Sequence, residues 1–505
     1  LIEKARTALN YVIAFAMVGV GITHFVNTPF FVSIMPPWIP FHEWMVWLSG
    51  VAEIIVGILL AVPRTRKLGG WALIALLVAV FPANIHMAIH HIQPAGVTEP
   101  VPVGKVALAV PLHGHRLVDW QRCRSECLGG EAFRRKARMN ASRADVVIVG
   151  AGLIGCSIAM ALANEGLHVA LIEKSVPGAE ASSVAAGILA PVIEHLADDT
   201  MRMLGIESRN LHQKQATKLL AEEGMDVGYR ASGALWAGPH ATSAARASKL
   251  HALRIPHTLL DRAGIATHEP AIDVAIESAL LLPEEASIEP TRLLRALLLA
   301  CERKKVRVVR GVVRGLLGSE RTEGVELEGE HIRAGHVVLA AGSWSSFLPS
   351  DARLAEVLRQ VKPIRGQLVH GEAHPRLLQR VIFGGGTYIV PRGDGRYVCG
   401  ATMEDAGFDR EATFGGIHEV LHGALAIAPA LRHAKLTQHA VNFRPATSDG
   451  RPMIGETDRP GLLLATGHHR NGILLAPITA QLIAQHIVKK SPFPAGLSPL
   501  RFEAA

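Results

Sequence analysis

Cysteine is scarce in this 505-residue chain, and net positive charge is scarce in most of it. Five cysteines (Cys123, Cys127, Cys156, Cys301 and Cys399) are too few and too scattered for a disulfide scaffold, and they suit a reducing compartment. Cys123 and Cys127 have no second pair and no histidine beside them, so two free thiols is the simpler reading than a metal or redox pair. Of the net charge of +8, residues 1–138 hold +6 (13 Lys and Arg against 7 Asp and Glu). The remainder is close to neutral, which argues against nucleic acid as a partner. Nor does the chain show a Ser-His-Asp constellation or a metal-spaced cluster. Its length allows two to four domains.

What is present is most legible at 145–173. The apolar run 146–149 has the character of a buried strand. Gly150, Gly152 and Gly155 form G-x-G-x-x-G at its turn into a helix. A second strand at 167–172 then ends in Glu173. Gly150 permits the tight turn, Gly152 lets backbone approach a pyrophosphate, and Gly155 lets helix and strand pack closely. The helix N-terminus offers free N–H groups to phosphate, and an acid at the end of the second strand can hold a ribose hydroxyl. This spacing predicts a dinucleotide cradle.

The first 138 residues read differently. Apolar stretches at 9–26, 46–62 and 68–89 each approach the ~20 residues of a membrane-spanning helix. Glu53 and His86 lie inside such stretches, where polar groups are functional candidates. His86 and His90 share a helix face and either ligate a metal or haem or sit at the helix end; the second reading is the simpler. Lys4, Arg6, Arg64, Arg66 and Lys67, with no Lys or Arg at 27–42, place the N-terminus and the 63–67 loop inside. Three crossings would leave the dinucleotide domain outside. A fourth, interfacial or poorly formed segment at 100–112 would return it to the cytoplasm. Residues 116–138 carry seven Lys and Arg against three acids and read as a linker able to lie on anionic lipid. Gly21-Ile-Thr-His-Phe25, Met35-Pro-Pro-Trp-Ile-Pro40, Ser49-Gly-Val-Ala-Glu53 and Phe81-Pro-Ala-Asn84 resemble the DoxX-like family of small four-helix membrane proteins. The expected location is the inner membrane with the nucleotide domain facing the cytoplasm. The chain opens at Leu1 and Met139 precedes the cradle, so a natural fusion and an enzyme beginning at Met139, which would be cytoplasmic, both remain open.

Beyond Met139 the pattern is mixed α/β. His336-Val-Val-Leu-Ala-Ala-Gly342 is a strand that brings bare backbone to a ligand, with Ser343 and Trp344 following. Ala181-Ser-Ser-Val-Ala-Ala-Gly187 is a small-residue run suited to wrapping a flat cofactor. Alternating stretches at 366–369, 388–391, 397–400 and 437–443 predict an antiparallel sheet spliced into the first domain. Near the end, a strand at 462–467 leads through His468-His-Arg-Asn-Gly472 into a helix at 473–488. That helix N-terminus would favour negative charge on a reduced flavin.

From 145 to 488 the chain resembles the glycine oxidase branch of the D-amino-acid oxidase superfamily. The resemblance rests on 181–191, Tyr388-Ile-Val-Pro-Arg392, Phe443-Arg-Pro-Ala-Thr-Ser-Asp-Gly-Arg-Pro452 and Gly467-His-His-Arg-Asn-Gly-Ile-Leu-Leu-Ala-Pro477. It implies an α/β fold with a Rossmann-like FAD domain (144–225, 285–345 and 445–490) and an inserted antiparallel-sheet substrate domain (226–284 and 346–444). A membrane-spanning all-α domain (1–115) and a basic linker (116–143) precede them, and a tail (491–505) follows. Non-covalent FAD is implied, with Leu153, Ile154, Lys174, Ser182, Ser183, Ala186, Val313, Ala341, His469, Asn471 and Ile473 beside the residues already named. Arg444 matches the arginine that binds the substrate carboxylate, Tyr388 a tyrosine on the same group, and Arg470 a second arginine beside it. A guanidinium offers that group a planar, permanently charged match. Family members often carry a histidine two positions before the tyrosine. Gly386 stands there, which leaves substrate preference open. The implied reaction passes hydride from Cα of glycine, sarcosine or D-alanine to flavin N5. The products are the 2-oxo acid, ammonia and hydrogen peroxide, with the glycine imine destined for thiamine thiazole. Oxygen is the implied acceptor and a homotetramer the implied assembly. Two rivals remain: a membrane-attached D-amino-acid dehydrogenase reducing quinone, and a non-catalytic flavin-binding membrane scaffold.

Overall fold

The computed structural model describes residues 14–15, 17–33, 41–62, 65, 68–73, 76 and 143–502. The chain divides into two units, Leu1–Gly130 and Glu131–Ala505. Lys4, Arg6, Arg64, Arg66, Lys67, the His86/His90 pair, the motifs at 35–40 and 81–84, the 100–112 segment, the 116–138 linker with Cys123 and Cys127, and Met139 lie outside the described residues.

In the first unit, α1 (Met17–Val26), α2 (Thr28–Ser33) and α3 (His42–Ala61) are helical. Small residues let α1 and α3 meet backbone to backbone. A Cβ on Gly21 would stand 2.7 Å from the Gly50 carbonyl oxygen. His24 and Glu53 are buried at this crossing, with Nδ1 and Oε2 3.6 Å apart. Among the described residues α3 is the helix long and apolar enough to cross a membrane. Trp44, Leu48, Val51, Ile55 and Ile58 form an exposed apolar stripe along it.

The second unit is built on two large sheets. β1 (Arg143–Val149) is an apolar run whose Val146, Val147 and Ile148 are fully buried, as a central parallel strand requires. It pairs in parallel with β2 (Val169–Glu173) and β11 (Glu330–Leu339). The sheet order is β17-β18-β11-β1-β2-β8, completed by β8 (Arg307–Arg310), β17 (Met453–Glu456) and β18 (Leu462–Thr466). β9 (Gly315–Leu317) and β10 (Gly324–Leu327) extend it from β11. α4 (Leu153–Asn164), α5 (Asp199–Glu223), α7 (Pro290–Arg303) and α10 (Ala476–Lys489) cover one face. The other face is covered by α8 (Ala352–Arg359). The expected boundary at 345 therefore falls short, because Leu354, Val357 and Leu358 of α8 pack into the nucleotide-domain core.

The second sheet runs β16-β12-β15-β14-β13-β4-β6-β5. Its members are β4 (Ala234–Gly238), β5 (Thr258–Leu260), β6 (Ser278–Leu282), β12 (Lys362–Glu372), β13 (Val381–Gly384), β14 (Thr387–Pro391), β15 (Arg396–Gly400) and β16 (Lys435–Ala446). It is antiparallel except at β13–β4, where strands from two separate insertions meet in parallel. α6 (His240–Ala252) and α9 (Phe414–Ile427) accompany it. A short ribbon, β3 (Ile188–Leu189) with β7 (Ala286–Ser287), completes the strands. One backbone bridge, Ala446 to His468, fastens the end of β16 to the turn that follows β18.

Candidate active site

The turn between β1 and α4 is shaped by glycine. Gly150 has φ +108°, and a Cβ there would stand 2.5 Å from the Ala340 carbonyl oxygen. A Cβ on Gly155 would overlap the Gly150 carbonyl oxygen, so this glycine sits behind the wall and sets helix-to-strand packing. Glu173, at the end of β2, accepts from Ala151 N (3.1 Å) and Ser175 N (3.0 Å), which fixes its carboxylate beside the turn. Ser182 Oγ accepts from Leu153 N at 3.0 Å and so ties the 181–187 run to the start of α4.

From this turn a single cavity of about 900 Å³ reaches into the substrate sheet. Its walls include Gly150, Gly152, Leu153, Ile154, Glu173, Lys174, Ser182, Ala186, Gly187, Val313, Ala341, Gly342, Trp344 and all of 469–473. Tyr388 and Arg444 line its far end. Ser183 is a correction: its hydroxyl donates back to Ala179 O (3.1 Å) and Glu180 O (2.8 Å), inside its own turn, and it does not reach the cavity. The helix after β18 also begins later than expected, at Ala476. Proline at its first turn sets that start, leaving 473–475 as turn.

Two buried polar atoms on this wall, Trp344 Nε1 and His469 Nε2, have no hydrogen-bond partner among the described residues. The Trp344 ring is held between the Lys174 ammonium, 3.5 Å from its centroid, and the stacked Phe408 ring. Burial pushes the His469 imidazole down to about 4, helped by the charges of Arg444 and Arg470, so it is neutral at physiological pH. Bare glycine backbone, a helix N-terminus and orphaned polar atoms along one elongated wall together fit a bound dinucleotide.

At the far end, Arg444 on β16 lies against Gly366 of β12. A Cβ on Gly366 would overlap the guanidinium. Arg444 Nη1 donates to Thr402 O at 2.9 Å, and the charge of the guanidinium acts on the nearby Tyr388 phenol. Burial pushes the Tyr388 phenol up, opposed by the Arg444 charge. Arg470 is otherwise engaged: its Nε pairs with the buried Glu194 carboxylate. Burial raises Glu194, and the charges of Arg470 and Arg444 oppose that shift. The expected position of a histidine is the two-residue hairpin between β13 and β14, where Gly385 and Gly386 have φ +54° and +80°. That turn requires glycine-like backbone at both residues, so no ring closes the wall there.

Glu194, Gly366 and Thr402 were missed in the sequence. The signal for Glu194 was an acid three residues beyond the motif at 181–191. Thr402 contributes only its carbonyl, and no sequence pattern marks that.

Fold and site together define a flavin-dependent oxidoreductase with an arginine, Arg444, lining the far end of its cofactor cavity. The FAD dependent oxidoreductase family matches residues 145–486, and a domain of unknown function, DUF8561, matches 13–117. The chain is 37% identical over 358 residues to the bifunctional protein ThiO/ThiG of Trichormus variabilis, covering 69% of this chain and 53% of that protein. It is 32% identical over 366 residues to a glycine oxidase of Geobacillus kaustophilus, covering 69% of this chain and 94% of the relative. The crystal structure of glycine oxidase from Geobacillus kaustophilus superposes with a TM-score of 0.66 at 30% identity, over 71% of this chain and 99% of that one. The chain thus spans about half the length of the ThiO/ThiG protein it matches. It belongs to the FAD-dependent oxidoreductase family, and its cofactor is FAD.

Proposed function

We propose that this protein oxidises glycine and similarly small amino acids (sarcosine, D-alanine) at the carbon bearing the carboxylate, releasing the 2-oxo acid and ammonia, or methylamine in the case of sarcosine. One observation carries the reading. Arg444 presents a guanidinium to the cavity of the glycine turn, and no carboxylate lies within ion-pair distance of it among the described residues. FAD supplies the two-electron acceptor for this chemistry, and oxygen, leaving as hydrogen peroxide, restores it. Arg444 holds the substrate carboxylate as a charge-assisted pair, and the Tyr388 hydroxyl adds a second contact. Holding the carboxylate fixes the direction of the Cα–H bond, and orientation is where most of the barrier reduction arises. With the amine bound uncharged, no side chain has to take a proton. The oxidised glycine is suited to supply thiamine thiazole formation, in keeping with the ThiO/ThiG relative.

The apolar stripe of α3 favours a second reading of the acceptor. A membrane-attached unit, its catalytic domain on the cytoplasmic side, could pass electrons to quinone. Anaerobic bleaching of the flavin absorbance by glycine, sarcosine and D-alanine tests the first half-reaction. Bleaching by none of them in FAD-loaded protein would overturn it. Oxygen uptake against quinone reduction then separates the acceptors, and membrane fractionation tests the address.

A further inference from the structure

Four cationic side chains line the cavity, and two of them are neutralised by carboxylates. Lys174 Nζ lies 3.6 Å from Glu180, and Arg470 pairs with Glu194. Arg444 and Arg246 have no carboxylate within ion-pair distance among the described residues. Arg444 is the proposed anchor of the substrate carboxylate. Arg246 has no task in that reading.

Arg246 is placed by its neighbours on α6. Ser243 and Leu250 turn inward and are fully buried, which sends Thr242 and Arg246 to the cavity side. Its guanidinium carbon sits 3.5 Å from the centroid of the Trp236 ring on β4. Stacking on indole holds the plane of the fork without using any of its N–H donors. Gly238, two residues further along the same strand, would bring a Cβ only to 3.9 Å from Arg246 Nη1, so the donors are not crowded. Partial burial disfavours this charge and no acid among the described residues forms an ion pair with it, so an anion placed here would be held more firmly than at the open surface. The Gly385–Gly386 hairpin shares this end of the cavity, and a Cβ at either residue would meet nothing within 4 Å. The acid at this mouth, Glu419, is exposed and makes no ion pair with Arg246.

We infer that the cavity takes an amino acid carrying a second acidic group, its α-carboxylate on Arg444 and its distal carboxylate on Arg246 above Trp236. This rests on the amino-acid reading above and narrows its substrate class to dicarboxylic amines. The second acid reaches Arg246 either on an arm attached to nitrogen, as in N-(carboxyalkyl)glycines, or as the side chain of a D-amino acid. The oxidation itself is unchanged, and the second carboxylate adds only binding and orientation.

The test uses the full-length protein with FAD bound. Oxydiacetate and methoxyacetate, ethers without an oxidisable amine, are titrated while the flavin spectrum and heat are followed. In parallel, kcat/KM is measured for N-(carboxymethyl)glycine and N-(2-carboxyethyl)glycine against sarcosine, and for D-aspartate and D-glutamate against D-alanine. The expected diacid-to-monoacid ratio is tenfold or more in at least one series, and which series shows it says where the second acid sits. Arg246→Met should bring that ratio close to one, whereas Arg246→Lys should keep part of it; FAD content and melting temperature verify that both variants fold. A ratio of one or less in the unaltered protein, or a high ratio untouched by Arg246→Met, overturns the inference while leaving the amino-acid reading intact. If no monoacid or diacid binds or is oxidised, and Arg444 variants change nothing, the amino-acid reading falls and this inference with it.

Discussion

The Cα of Gly366 faces the Arg444 guanidinium across the β12–β16 pairing so closely that a single methyl group there would overlap it. In the register Gly366 opposes Asn442, and Arg444 is the diagonal neighbour, so the missing side chain is the space the arginine occupies.

Gly366→Ala should therefore displace Arg444 without touching the glycine turn. We expect KM for glycine or sarcosine to rise at least tenfold with FAD content unchanged, read by steady-state kinetics and flavin absorbance. Arg444→Met removes one partner of a charge-assisted pair, a loss of about 2–5 kcal/mol or roughly 30- to several-thousand-fold in kcat/KM. Normal kinetics in both variants would sink the anchor role.

Arg470 should matter much less. Its charge is already matched by Glu194, so Arg470→Met ought to lower kcat/KM at least tenfold less than Arg444→Met does. The same change removes the main charge opposing the upward shift of Glu194, so that carboxyl should bind its proton at a higher pH than before. Equal losses in the two arginine variants would instead make Arg470 a direct carboxylate ligand.

A methyl group at Gly155 has nowhere to go, because the Gly150 carbonyl oxygen occupies its position. Gly155→Ala is expected to cost about 1–3 kcal/mol of stability through overpacking. It should also weaken FAD retention, since Gly150 would have to move. Thermal unfolding and flavin content after gel filtration measure both effects, and wild-type values for both would refute the packing argument.

Two fully enclosed histidines give the catalytic unit an acid limb. Burial pushes His212 down to about 4 and His468 to about 3. An unfolded histidine titrates near 6.5, so between roughly pH 6.5 and 4 the unfolded chain binds protons that the folded chain refuses. The contribution of these two rings is constant above pH 7 and is lost as pH drops through that window, by about 1.4 kcal/mol per pH unit for each ring, while the buried Glu285, pushed up to about 8, contributes with the opposite sign. Denaturant melts at pH 4–7 check the slope. Substituting His212 by Asn should flatten it, though losing the 2.7 Å bond from its Nε2 to Ile473 O lowers stability at every pH.

The parts legible in the sequence are those whose physics is local. The β1–α4 turn needs three glycines within six residues, and the 468–472 turn is a short contiguous string, so each can be read from one stretch of chain. Arg444 and Tyr388 were legible because they sit inside recognisable strings. The pairing of Arg470 with Glu194 joins positions 276 residues apart, and Arg246 over Trp236 depends on how a helix lies on a strand. Neither leaves a periodic mark. Ser183 was misassigned for the opposite reason: a hydroxyl in a small-residue run looks ligand-facing, yet its nearest acceptors are the carbonyls of its own turn.

The bridge from Ala446 to His468 has a mechanical meaning. Arg444 stands two residues before it and His469 one residue after, so the proposed substrate anchor and the turn after β18 are pinned to one backbone rivet. Jaw-like parting of the two sheets would tear β16 from that rivet. A route past the exposed cavity rim at the Gly385–Gly386 hairpin and the Thr242 side of α6 would leave that rivet intact.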